Sequence, residues 1–542
     1  MRHKILSLIL LATPLLNAQE IKKPKLVLGI VVDQMRFDYI YKYWNKYGDG
    51  GFKRLVNGGY QCKNLQYNYV PTYTGPGHSS IYTGTTPERH GIISNDWFNR
   101  ETNRSIYCSE DPSVKTIGSK TEKVGQMSPR NLLSTTVGDE LRVASKQGSR
   151  VYGIALKDRA AILPAGHLAN AAYWFDGATG NFVSSSFYCQ ELPKWLVEFN
   201  KKQKALAYLS QPWTTFLPIN QYTESLPDQT PYESPFKGTT SVTFPYNLKQ
   251  LMATNDGQNL IRATPFGNSL TKDLALELIY QEKLGKGDFT DMLCVSFSST
   301  DYIGHYFGTD AVETEDVYLR LDADLKLMLD SIEAYVGKEN LIVFLTADHG
   351  GATVPAYLMD LRAPGGYMNY GPVESELKLW MKTQTGIDSN VIGIFNDQVY
   401  LNEYDLKNNG NNISEIEWQV ADWLLKVKGI HSTITASDLR RNEFTSGSNH
   451  LIQKGFHPKR SGNVMITMEP NWMEYHKTGT THGTAYNYDT RVPMLWYGWK
   501  IQPGETPLPY YIDDIAPTVS WLLNIPFPNA TSGNPIPLPL SR

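Results

Sequence analysis

Short apolar runs, each ending in polar or acidic residues, punctuate the chain. They are LVLGIVVDQ (26–34), RVYGIALKDR (150–159), MLCVSFSSTD (292–301), NLIVFLTADHGG (340–351) and VMITMEPN (464–471). A run apolar at every position has no solvent face, which is the pattern of a strand in a parallel sheet covered on both sides. Between several of these runs lie stretches of helical period. In SLTKDLALELIYQ, Leu270, Leu274 and Leu278 share a stripe; in DVYLRLDADLKLMLDSI, Val317, Leu321, Met328 and Ile332 do the same. Strands alternating with amphipathic helices predict a three-layer α/β/α core around a mostly parallel sheet. Reactive groups in such sheets gather beyond the strand C-termini, which is where these runs turn polar.

Two stretches break the rhythm. Residues from about 160 to 267 are rich in Tyr, Trp, Phe and Pro, and those from about 355 to 460 are irregular apart from a helix in SEIEWQVADWLLKV. No linker-like composition marks their edges, so both read as insertions that cap a single catalytic domain over residues 19–542. No internal repeat, heptad run or low-complexity tail is present. The 33 Tyr and 12 Trp exceed what a core alone requires and predict rings lining a cleft as well.

The first 18 residues read as a secretory leader. Arg2, His3 and Lys4 precede a short apolar run from Ile5 to Leu16, and Leu16-Asn17-Ala18 offers a cleavage site. The run falls short of the roughly 20 apolar residues of a membrane span, and no cysteine follows it for lipid attachment. A secreted or periplasmic protein is expected, without a membrane anchor. The formal charge of -3 gives no electrostatic reason to expect a nucleic-acid partner. Oligomeric state is open, with a monomer as the default. Cys62, Cys108, Cys189 and Cys294 suit an oxidising compartment without fixing a pairing, and no C-x-x-C pair suggests thiolate metal binding.

Candidate chemistry collects at the ends of the apolar runs. Asp33 closes the first, where a helix N-cap is the simpler role. Asp301 and His305, four apart in TDYIGH, fall on one face of a helical turn. Asp348 and His349 end a strand and meet Gly350-Gly351, and His482 sits in a Gly/Thr turn before VPMLWYG. Six such groups could hold two ions with three protein ligands each. Mixed aspartate and imidazole ligation suits zinc, whereas three histidines disfavour calcium. His78 and His90 read as loop-setting residues; His167, His431, His450, His457 and His476 lack ligand-like partners. VPTYTGPGHSS (70–80) puts Thr72 and Thr74 on a tight turn. A threonine there can cap a helix, or be an alkoxide nucleophile at a helix N-terminus.

VVDQMR, TYTGPGHSSIYTGTTPERHGI, SND, LKDR, TDYIGH, TADHGG and THGTAYNYDTRVP occur in the order seen in the alkaline phosphatase superfamily. The chain most resembles the threonine-nucleophile, phosphate-irrepressible alkaline phosphatases of flavobacteria, over nearly its whole length. The resemblance implies a secreted or periplasmic phosphate monoester hydrolase with an alkaline-phosphatase-like core and two zinc ions per chain. Thr74 would be the nucleophile. One zinc would be held by Asp301, His305 and His482, the other by Asp33, Asp348, His349 and Thr74. Asn95, Lys157 and Arg159 match the phosphate-contacting positions. Small-molecule monoesters are then the expected partners, and a covalent phosphothreonine the expected intermediate.

Other readings stay open. A phosphodiesterase or nucleotide pyrophosphatase could use the same core, although Lys157 and Arg159 suit the charge of a monoester better. A sulfatase would need a C/S-x-P-x-R motif, which is absent. An inactive secreted binding module would need neither a nucleophile nor a ligand set.

Overall fold

The computed structural model describes residues 23–474 and 478–541. The leader assigned to residues 1–18 and His476 lie outside the described residues. Four of the five apolar runs join a central sheet of β1 (Leu26–Val32), β2 (Tyr60–Gln66), β3 (Val151–Ala155), β4 (Ala171–Asp176), β5 (Asn181–Ser185), β6 (Asp291–Phe297), β7 (Leu341–Thr346) and β8 (Leu495–Gly498), whereas the run at 464–468 pairs antiparallel in a separate sheet. Its order is β2-β8-β7-β1-β6-β3-β4-β5, extended at one end by residues 116–117 and at the other by 491–492, with 504–511 pairing on β2. The five strands from β7 to β4 run parallel, while β8 and β5 are antiparallel to their inner neighbours. This is the mostly parallel α/β sheet expected from the apolar runs. Every residue of β1, β3, β6 and β7 is buried, because helices cover both faces.

The predicted amphipathic stretches form α3 (Phe266–Gln281) and α5 (Val312–Val336), following α1 (Thr74–Thr83) and α2 (Asp158–Ala165); α4 (Ser299–Phe307) lies between α3 and α5. Register decides where the site lies. Val31 of β1 pairs with Thr346 of β7 and Ser296 of β6, so the C-terminal ends of the three central strands are level. Asp33, the Asp301 turn and Asp348-His349 therefore leave the sheet side by side.

The aromatic-rich stretch from about residue 160 supplies most of α2 and then β4 and β5, which belong to the central layers and not to a cap, before a strap in which Trp213, Phe236, Phe244 and Tyr246 pack ring on ring and against Phe307 of α4. A separate four-stranded sheet is formed by Val391–Phe395, Gln398–Leu401, Val464–Met468 and Ile430–Thr435. It has its own apolar core, including Leu377, Val399, Val420 and Leu424. All four cysteines are free thiols. Among the described residues no helix is long and apolar enough to cross a membrane.

Candidate active site

Thr74 is the first residue of α1, with Tyr73 in extended backbone at the N-cap and no side chain capping the helix. The Thr74 hydroxyl is thus not used for capping. It lies 3.4 Å from Lys157 Nζ and 3.5 Å from Arg159 Nη2. Thr72 has a structural partner instead, donating its hydroxyl to the Thr484 carbonyl at 3.1 Å. Asn95 accepts the Gly75 N–H on Oδ1 at 2.8 Å, which leaves its amide nitrogen available to donate. Lys157 and Arg159 lie beyond the strand, because β3 ends at Ala155. Lys157 is the N-cap of α2 and Arg159 stands in its first turn. Arg159 is held against the Tyr107 ring and donates to its hydroxyl at 2.9 Å.

Three carboxylates and three imidazoles face this hydroxyl's surroundings. His305 Nε2 is 3.1 Å and His482 Nε2 3.5 Å from Asp301 Oδ1. His349 Nε2 lies 3.6 Å from Asp33 Oδ1 and 3.5 Å from Asp348 Oδ2, with its ring stacked on that of His482. Each of these histidines directs Nδ1 at a backbone carbonyl: Thr480 for His305, Gly350 for His349 and Thr72 for His482. An Nδ1–H donated to a carbonyl fixes the tautomer and presents the Nε2 lone pair to the site.

Burial and then the charge of Asp348 hold the Asp33 carboxyl well above its usual range, and burial raises Asp348 to about 7. Burial also works to raise Asp301, but the charges of His305 and Lys157 overrule it and hold this carboxyl well below the usual range. Burial, then His482, keeps His349 neutral far below its ordinary pKa. Lys157 reaches in among the acids, its Nζ 2.7 Å from Asp33 Oδ2 and 2.6 Å from Asp301 Oδ2.

These residues fit a metal. Ligand atoms of Asp301, His305 and His482 lie within 4.8 Å of one another, as do those of Asp33, Asp301 and His349. Asp348 borders the second group. Asp33 Oδ1, Asp348 Oδ2 and His349 Nε2 are buried without a hydrogen-bond partner, an arrangement that costs free energy unless a cation meets them.

The sequence model of the type I phosphodiesterase / nucleotide pyrophosphatase family matches residues 27–491. The chain belongs to this family. Its relatives include several named alkaline phosphatases. It is 42% identical to alkaline phosphatase PafA of Elizabethkingia meningoseptica over 97% of each chain. It is also 42% identical to alkaline phosphatase PhoV of Synechococcus elongatus, over 96% of this chain and 94% of that one. A Myroides odoratus protein named a calcium-transporting ATPase is 42% identical over 96% of this chain and 95% of its own. The crystal structure of wild-type PafA superposes with a TM-score of 0.92, covering 95% of this chain and 99% of that one. The resemblance read from the ordered motifs is thereby borne out.

Several residues that shape this phosphodiesterase-family site lie inside the ordered motifs without standing out as ligands. Gln34, at φ 59°, donates its side-chain amide to Asp301 Oδ1 at 2.9 Å and its backbone N–H to Asp348 Oδ1 at 3.1 Å. It ties the two ligand groups together. Asp489, fully buried, accepts from the N–H groups of Gly483 and Thr484 and from the Thr484 hydroxyl, which shapes the turn holding His482. His78, read as loop-setting, bonds the Thr74 carbonyl and Ser296 and lies 3.3 Å from Asp348 Oδ2. His90 bonds Ser80 and the Ile92 N–H.

Gly77 shows why the turn in TGPGH is glycine-rich. A Cβ there would lie 2.4 Å from the Asp348 carbonyl oxygen, so α1 reaches the end of β7 only without a side chain. Gly77→Ala is expected to destabilise the protein by about 1–3 kcal/mol, seen as a lowered melting temperature together with reduced turnover. An unchanged melt and rate would show that the two backbones can part at no cost.

Proposed function

We propose that the chain is a two-zinc phosphate monoester hydrolase of the alkaline phosphatase kind, acting through a phosphothreonine on Thr74. The observation that carries this reading is the placement of the Thr74 hydroxyl at a helix N-terminus. Lys157 and Arg159 lie within 3.5 Å of it, and two Asp/His groups lie alongside. The donor set of aspartate oxygens and imidazole nitrogens suits zinc. Asp301, His305 and His482 would hold one ion; Asp33, Asp348 and His349, with Thr74, the other. Bound zinc offsets negative charge on the attacking and departing oxygens and favours their deprotonated forms.

Thr74 Oγ gives up its proton and forms a bond to phosphorus while the bond to the leaving alkoxide breaks, and the alkoxide departs as the alcohol. Water then attacks the phosphothreonine, the P–Oγ bond breaks, and Thr74 recovers its proton as phosphate leaves. Lys157, Arg159 and the Asn95 amide are suited to hold the peripheral phosphoryl oxygens, where transition-state charge resides. Arg159 offers a planar fork and Lys157 a point charge. Support for these roles comes from a solved PafA form with four substitutions. They fall at a threonine, an asparagine, a lysine and an arginine with the same spacing as Thr74, Asn95, Lys157 and Arg159. Removal of the leader near Ala18 and release to the periplasm or medium complete the reading.

Parallel assays of monoesters and diesters on purified, metal-analysed enzyme test it. The wild type is expected to prefer monoesters strongly. A charge-assisted hydrogen bond is worth about 1.5–3 kcal/mol. Lys157→Ala or Arg159→Ala should therefore cost roughly one to two decades of monoester kcat/KM. Diesters carry one less charge and should lose less, so the double substitution narrows the preference. Faster diester hydrolysis by the wild type, or equal loss of both activities, would favour a phosphodiesterase.

A further inference from the structure

Among the six candidate metal ligands, His305 is the one that meets solvent. Its side chain is 36% exposed, whereas those of Asp33, Asp301, Asp348, His349 and His482 are 5% exposed or less. On the two-zinc reading His305 holds the ion beside the departing oxygen, so the rest of the leaving group emerges there. What it meets is set by α4. Asp301 and His305 are four apart on this helix, and Tyr302 and Tyr306 follow each by one residue, about 100° round the axis. The two tyrosines line a cavity of about 270 Å³ together with Lys237, Asn259 and Arg262. A water molecule takes up roughly 30 Å³ in the liquid, so this space admits a group of several heavy atoms.

The cavity is cationic. Among the described residues neither Lys237 nor Arg262 has a carboxylate partner, and Asp256, exposed at the border, pairs with neither. Both cations are held in place. Arg262 donates from Nη1 to the Tyr302 hydroxyl at 3.2 Å and from Nη2 to the Phe175 carbonyl at 2.8 Å. Its Nε is buried with no partner. Arg262 stands three residues from Asn259 in a 3-10 stretch, Gly257–Ala263, where residues three apart eclipse. Asn255 grips the Lys237 backbone, accepting its N–H at 3.0 Å and donating to its carbonyl at 2.9 Å. A single ring separates the cavity from the phosphoryl-binding side: Lys157 Nζ is 5.1 Å and Arg262 Cζ 6.0 Å from the Tyr302 centroid. Bracing of Tyr302 accounts for Arg262 Nη1, but not for the unspent Nε or for the unpaired Lys237.

We propose that this cavity is a leaving-group subsite for a second anionic group, a phosphate or carboxylate carried by the alcohol of the ester. The inference rests on the two-zinc monoesterase reading. Arg262 supplies part of a planar fork and Lys237 a point charge, both suited to charge-assisted hydrogen bonds with such a group. The Asn259 amide adds a neutral donor, and the Tyr302 and Tyr306 rings offer apolar faces to the carbons between the two acids. An uncharged leaving group gains nothing from the two cations. The favoured substrates are then phosphate monoesters that bear a further acid.

The test uses the full-length enzyme loaded with its catalytic metals. Linear alkyl phosphates from propyl to hexyl are compared with terminal diol bisphosphates and ω-carboxyalkyl phosphates of the same chain lengths. At the best length, kcat/KM per ester group should favour the diacid by roughly tenfold or more. The advantage should peak at one length, because the cavity is fixed relative to Thr74, and its size in the two series identifies the preferred acid. Lys237→Ala and Arg262→Gln should each remove most of that ratio, whereas Lys426→Ala, at an exposed lysine of the second insertion, should keep it. If Arg262→Gln fails to fold, Lys237→Ala still decides. Calorimetry on metal-loaded Thr74→Ala, which binds without turnover, should show the same preference in Kd. A wild type that leaves alkyl phosphates intact would sink the monoesterase reading, while the Kd ratio would still judge the subsite. Equal Kd and kcat/KM within the matched pairs, an advantage independent of chain length, or one kept by Lys237→Ala and Arg262→Gln would overturn the subsite.

Discussion

Thr74→Ala is expected to lower phosphate monoester turnover by roughly three orders of magnitude or more while leaving fold and metal content intact. The size follows from the chemistry: without the hydroxyl there is no atom to carry the phosphoryl group between the two displacements. The selectivity follows from the structure. Thr74 spends its hydroxyl neither on capping α1 nor on a backbone partner, so its removal costs little stability. Thr72→Ala should be much milder in rate, because that hydroxyl only joins the turn to the Thr484 carbonyl. Thr74→Ser keeps a hydroxyl at the same helix position and should retain substantial turnover. Acid quenching of the wild type during turnover, followed by peptide mapping, should find phosphate on Thr74. Label on another residue, or wild-type rates in Thr74→Ala, would refute the nucleophile assignment.

Removal of bound metal should abolish activity, and zinc should restore it. Asp33, Asp301 and Asp348 converge at the level ends of β1, β6 and β7, with Lys157 paired to the first two. Zinc would supply the missing charge, so stripping it should also lower the melting temperature, since a ligand of the native state stabilises that state by mass action. His305→Ala or His482→Ala should impair the ion beside the leaving group. Asp348→Asn should impair the ion beside Thr74, and metal analysis should show a corresponding loss in each. Retention of full activity by protein shown to be free of metal would sink the two-metal reading.

Much of this was legible along the chain because burial on both faces leaves a mark that needs no partner. LVLGIVV, MLCVSF and LIVFLT carry no charge and hardly a polar residue, which marks each as an interior strand, and the polar residues that follow each run emerge beyond the strand's C-terminal end. That logic located Asp33, Asp301 and Asp348-His349, and the TGPGH turn announced itself by its glycines. The ordered motifs supplied the family.

Other features were decided only by the tertiary structure, because they depend on groups far apart in sequence. Gln34 looks like any polar residue after a strand until β6 and β7 bring Asp301 and Asp348 to its two donors. Lys157 and Arg159 follow an apolar run, yet a helix begins there, and its N-cap and first turn bring both cations to Thr74. The free state of the four cysteines and the hold of Asp489 on the His482 turn likewise arise from packing between segments. A local sequence pattern records which face of a segment is dry, whereas the identity of the group that meets it across the interface is fixed only when the layers close.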